Sequence, residues 1–106
     1  MKLGIVINSN DPETVWNAFR FGVFSCMQGD AVSVFLLGKG VEAESLDSSK
    51  FDVRDLMRSF SEEGGSIRAC GACLKMRNFK GSDICPMSTM QDMYALIRDS
   101  DKVLSF

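Results

Sequence analysis

The chain has 106 residues, 45% of them hydrophobic, which suits one compact domain (residues 1–106) and is too little for two. Its 12 Lys and Arg against 14 Asp and Glu leave a formal net charge of -2 with no basic run, so bulk charge gives no reason to bind nucleic acid. His is absent, which excludes Ser-His and Cys-His catalysis and every metal site that needs imidazole.

Leu3 to Ile7 is apolar without alternation, the pattern of a strand covered on both faces. After the polar turn Asn8-Ser9-Asn10, Asp11-Pro12-Glu13 reads as a helix start: an N-cap, Pro at the first helical position, then an acid in the first turn. That helix is expected to reach about Gln28 and stop at Gly29. Val15, Trp16, Phe19, Gly22, Val23, Cys26 and Met27 would face the sheet. Phe21 and Phe24 fall outside this stripe, beside Asn17, Arg20 and Gln28. Their two readings are incidental exposure and a subunit contact.

Ala31 to Leu37 is a second strand, followed by a flexible Gly38-Lys39-Gly40 loop and a polar, acidic surface excursion over 41–50. Asp52 caps a helix with Val53, Leu56, Met57 and Phe60 inward, ended by Gly64-Gly65. A third strand runs from Ile67 to Cys70, and a short helix from about Gly71 to Met76. Asn78 to Asp83 is a loop. Pro86 reads as a helix starter, and Ser88 with Gln91 has capping-box spacing for a last helix with Met90, Met93, Leu96 and Ile97 inward. Lys102 to Phe106 closes as a strand. Strand and helix thus alternate, the signature of an α/β three-layer α/β/α sandwich with a mainly parallel sheet of four to five strands. In such sheets the functional crevice lies outside the carboxyl ends of the strands. Asn8, Gly38 and the Cys70-Gly71 join all belong to that edge.

Four cysteines without an export signal read as reduced thiols, and the default location is the cytoplasm. No stretch is apolar enough for a membrane partner. Cys70 ends a strand where a helix begins, a position whose free amides favour the thiolate; Arg68, Lys75 and Arg77 are nearby in sequence. The bland alternative is a buried structural thiol. Cys73 lies one helical turn on. The Cys70-x-x-Cys73 spacing serves a redox dithiol, half of a metal site, or a sulfur-carrying thiol with a resolving partner, and spacing alone does not choose. Metal is the weakest of these, with one knuckle only; no metal and no cofactor is expected. Cys26 fits the buried stripe of the first helix. Cys85 either approaches the crevice or packs. A thioredoxin-like arrangement lacks the expected strand-helix order, and Gly38-Lys39-Gly40 lacks the spacing of a phosphate loop.

Taken in order, several segments resemble the DsrE/DsrF-like family of small sulfur-relay proteins. They are the first buried strand with its polar turn, the Pro12-Glu13-Thr14-Val15-Trp16-Asn17-Ala18 helix, and Phe35-Leu36-Leu37-Gly38. Ile67-Arg68-Ala69-Cys70 before a helix with Leu74 and Arg77, Ser88-Thr89-Met90, and Asp101-Lys102-Val103-Leu104 complete the set. The resemblance covers nearly the whole chain. It implies a three-layer α/β/α fold, a homo-oligomer (trimer or hexamer), donor and acceptor proteins as partners, and sulfur carried as a persulfide on Cys70. Cys73 stands where relatives typically have a small residue, and Asn78 where many have Gly. The second thiol implies internal resolution of a Cys70 persulfide to a disulfide. The site set is therefore Cys70 and Cys73 as reacting thiols, with Asn8, Gly38, Gly71 and Cys85 around the substrate. A sulfurtransferase-like carrier is the leading reading. The alternatives are a dithiol oxidoreductase or redox sensor, and a non-catalytic subunit of an oligomeric sulfur-relay assembly.

Overall fold

The computed structural model describes residues 1–46 and 48–106; Asp47, inside the 41–50 excursion, lies outside the described residues. Five strands form one parallel sheet: β1 (Lys2–Ile7), β2 (Ala31–Leu36), β3 (Ser66–Cys70), β4 (Met87–Ser88) and β5 (Lys102–Ser105), in spatial order β4-β3-β2-β1-β5. The helices are α1 (Pro12–Met27), α2 (Val53–Glu62), α3 (Gly71–Met76) and α4 (Met90–Asp99), with a 3-10 helix over Gly38–Ser45.

Successive strand residues point to opposite faces, and this assigns the helices. A side chain at Gly4 would meet Leu96 of α4 and Ser100, its C-cap, whereas Ile5 lies against Gly22 of α1, which in turn touches Phe60 of α2. So α1 and α2 cover one face and α4 the other, as right-handed crossovers require. The core lies mainly under α1 and α2, where Phe19 and Phe60 meet edge to face at 5.7 Å between ring centroids.

The helix ends follow local chemistry. The Asp11 carboxylate accepts from the Thr14 amide, and Pro12 begins α1. Asp52 caps α2 through the Asp55 amide. The cap of α4 is one residue later than expected: Thr89 accepts from the Asp92 amide and Asp92 returns the bond to the Thr89 amide. Pro86 starts no helix; it precedes β4, a two-residue strand too short to read from sequence.

Three further expectations are corrected. The buried face of α1 is Val15, Ala18, Phe19, Gly22 and Ser25, while Met27 is 66% exposed. The small residues lie at the centre because α2 approaches closely there, and a search for large apolar side chains passes over them. On α4 no residue is fully buried: Met93 and Leu96 pack partly, while Met90 and Ile97 are exposed. One helix alone on that face leaves its flanks to solvent. Finally, residues 38–45 are not a flexible loop but a 3-10 helix that buries Gly40, Val41 and Ala43. Among the described residues no helix is long and apolar enough to cross a membrane.

Candidate functional site

The connections of two neighbouring strands leave the sheet in opposite directions. From β3 the chain enters α3, which packs beside the 3-10 helix on the α1/α2 side; from β4 it enters α4 on the other face. The gap between their carboxyl ends is a topological switch point, the usual place for a site in an open parallel sheet. Cys70, the last residue of β3, sits there in register with Ser88 of β4. Gly71 permits the close approach: a side chain on it would lie 3.0 Å from both Met87 Cγ and the Ser88 carbonyl oxygen.

The two thiols differ in setting. Cys70 is 3% exposed and occupies the N-cap position of α3, yet its sulfur receives no hydrogen bond from the first-turn amides. The helix is only six residues long, so its dipole is small. The open, amide-cradled Cys70 expected from sequence is therefore not what the isolated chain presents. Cys73 is half-buried, and its sulfur accepts the Gly38 N–H at 3.3 Å. Burial pushes the Cys73 thiol above its ordinary value, and a hydrogen bond with Cys70, which favours the protonated form, adds to this. The Gly38 amide and the Arg77 guanidinium act the other way. The amide that stabilises sulfur at this edge thus comes from the end of β2, not from α3.

Arg77 ties the thiol-bearing turn to the 3-10 helix. Its Nε donates to Glu42 at 2.8 Å and its terminal nitrogen to the Cys73 carbonyl at 3.1 Å. Asn10 donates to the other oxygen of the same carboxylate at 3.4 Å. Arg77 and then Asn10 hold the Glu42 carboxyl below its usual range. Glu42 and Asn10 were not among the sequence candidates. They lie 35 and 67 positions from Arg77, and nothing local marks them.

The other candidates separate. Asn8 is exposed at the carboxyl end of β1, with its backbone N–H donated to the Phe106 carbonyl. Arg68 turns to the α4 side, 3.9 Å from Asp92. Cys85 is buried, and desolvation, followed by the charge of Glu44, pushes its thiol up to about 12. It borders a cavity of about 380 Å³ with Glu44, Leu74, Phe79 and Lys80, in which neither Cys70 nor Cys73 takes part. Cys26 is half-buried on α1. Among the described residues no three Cys, Asp or Glu side chains gather closely enough to hold a metal ion.

A five-stranded parallel α/β sheet with a thiol pair at its switch point defines a small thiol-bearing α/β protein. More narrowly, the chain belongs to the DsrE/DsrF-like family, whose model matches residues 1–106. That family is in general related to sulfur relay, and its members often form oligomers. The uncharacterized protein MJ0989 of Methanocaldococcus jannaschii is 29% identical over 114 aligned positions, covering 100% of both chains. The uncharacterized protein MK0008 of Methanopyrus kandleri is 28% identical over 100 positions, covering 89% of this chain and 83% of its own. Among solved structures, the ychN protein from E. coli superposes with a TM-score of 0.89 at 19% identity, covering 100% of this chain and 99% of that one. A conserved protein of unknown function from Bacteroides thetaiotaomicron, BT1422, superposes at 0.80 and 19% identity, covering 99% and 94%. At that identity the two structures speak to the fold.

Proposed function

We propose that the chain carries sulfane sulfur as a persulfide on Cys70 and hands it to an acceptor thiol. The Cys70 sulfur attacks the outer sulfur of a donor persulfide, the donor leaves as a thiol, and the acceptor then takes the outer sulfur from Cys70. The observation that supports this reading is the place of Cys70: the end of an interior strand, at the switch point, one helical turn from a second thiol that accepts a backbone amide. The Gly38 amide, just past the end of β2, reaches the Cys73 sulfur, and Gly71 lets the end of β3 lie close against β4. Burial of Cys70 makes access the limiting quantity. The donor reaches it after the edge opens at β4, which is held to β3 by only two register pairs.

The test is intact-mass analysis after incubation with a small-molecule persulfide. Cys73→Ser gains sulfur that maps to Cys70, and Cys70→Ser does not. Equal loading of Cys70→Ser, or no loading of wild type with its thiols intact, ends the proposal.

A second reading, a dithiol oxidoreductase or redox sensor, is favoured by the placing of Cys70 and Cys73 one helical turn apart at the start of α3. It requires a disulfide that forms and reduces in the cytosolic range of potentials without added sulfur. For partners, the proposal is a homo-oligomer, trimer or hexamer, joined by donor and acceptor proteins. Phe21, Phe24 and Met27 are exposed along a groove of about 720 Å³ with Leu104 and Phe106, which supports a subunit contact there.

A further inference from the structure

Resting on the proposal that Cys70 carries a persulfide, we infer that Cys73 ends the carrying cycle from within: it attacks the Cys70 persulfide and releases the outer sulfur as hydrosulfide. The geometry is a thiol pair set one helical turn apart at the join of β3 and α3. Cys70 occupies the N-cap position of α3 and Cys73 lies in its first turn, so the two side chains are neighbours on one edge of the helix start. Cys73 is the more exposed of the two residues, Cys70 being buried.

The step balances without an outside reagent. The Cys73 thiolate forms a bond to the inner sulfur, Cys70 Sγ. The bond between inner and outer sulfur breaks, and the outer sulfur leaves with the electron pair and its hydrogen as HS⁻. The persulfide sulfur is reduced, the two thiols are oxidised to a Cys70–Cys73 disulfide, and the Cys73 proton goes to solvent. An external dithiol then reduces the disulfide and restores both thiols. The Gly38 N–H, donated to the Cys73 sulfur at 3.3 Å, stabilises the thiolate that must form. The Arg77 guanidinium, fixed by Glu42 and by the Cys73 carbonyl, adds positive charge on the same side. Each full cycle therefore delivers hydrosulfide and demands a dithiol. A protein with Cys70 alone delivers only to a thiol that comes to it.

The experiment uses full-length protein with a small-molecule persulfide such as glutathione persulfide, excess donor removed, and no other thiol present. Sulfide release and intact mass are followed together. Wild type is expected to release one sulfide per chain and end lighter by two hydrogens. Cys73→Ser and Cys73→Ala are expected to hold the added sulfur on Cys70 about a hundredfold longer, since the intramolecular thiol supplies the effective concentration. Adding dithiothreitol should return spent wild type to a loadable state. Wild type that keeps its added sulfur as long as Cys73→Ser, with no sulfide and no disulfide, overturns the inference while leaving the carrier role standing. Sulfur that maps to a cysteine other than Cys70 in both proteins overturns the carrier role and this inference with it. The two Cys73 variants share a readout against misfolding, because each must still take up sulfur on Cys70 before retention is scored.

Discussion

Gly40→Ala should damage this protein more than any other single methyl added near the site. A Cβ at Gly40 would lie 2.0 Å from the Ile7 carbonyl oxygen, 2.8 Å from the Ile7 carbonyl carbon and 3.4 Å from Asn8 Cα. These are backbone atoms at the end of the interior strand β1, so no side chain can swing away. The 3-10 helix must move by about 1 Å or more to reach ordinary contact, at an overpacking cost of about 1–3 kcal/mol. The Ile7 carbonyl also accepts the Leu37 amide at 2.9 Å. Disturbing that bond adds about 1 kcal/mol. With a urea m-value of about 1.5 kcal/mol/M, a loss of about 3 kcal/mol lowers the unfolding midpoint by about 2 M. The comparison is Gly38→Ala. Gly38 has a φ of +55° but nothing within 4 Å of the added carbon, so it suffers only the left-handed backbone penalty of about 1–2 kcal/mol. Urea titrations of the three proteins, followed by far-UV circular dichroism, decide the matter. A Gly40→Ala midpoint equal to wild type, or higher than that of Gly38→Ala, refutes the steric account of how the 3-10 helix is seated.

Acid should destabilise the fold. The Glu42, Asp11 and Asp92 carboxyls are held below their ordinary values by Arg77, by the Thr14 amide and by the Ser88 hydroxyl respectively. Their contribution is full above the unfolded carboxylate range and is lost as pH falls through the depressed folded values. Urea midpoints should drop from neutral pH to about pH 3, and less steeply in Asp92→Asn. A parallel slope in that variant would count against the Ser88–Asp92 bond. For Cys85 the sign reverses. With its folded value pushed up to about 12, its stabilisation is present below the ordinary thiol range and lost as pH rises from there toward about 12. Under alkylating reagent Cys73 should react first among the site thiols and Cys85 last; early labelling of Cys85 in folded protein would contradict its burial. Phe21→Ser with Phe24→Ser should lower the mass seen by light scattering. A wild-type monomer at high concentration removes the proposed contact.

Much of the fold was legible because it is written locally. Asp11-Pro12-Glu13 marks the start of α1 through capping chemistry, and the unbroken apolar run at Leu3–Ile7 marks a strand buried on both faces. The strand-to-helix change at Cys70-Gly71 falls where the sequence placed it. The 3-10 helix was not legible: its residues are polar enough to read as surface, and only contact with β1 and α2 shows that Val41 and Ala43 are buried. The shift of the last cap from Ser88 to Thr89 was hidden for a related reason. Ser88 is drawn into β4 by pairing with Cys70, a partner eighteen positions away.

The sequence by itself determined the α/β alternation, the absence of imidazole chemistry, and the pair of thiols spaced one turn apart at a strand's end. Those follow from composition, periodicity and capping, which act over a few residues. Only the tertiary structure decided which of the two thiol residues is the more exposed, which amide reaches its sulfur, and that Arg77 is held by Glu42. Those contacts join segments 35 residues apart, and such pairs are set by how the sheet orders its strands rather than by any property of either segment alone.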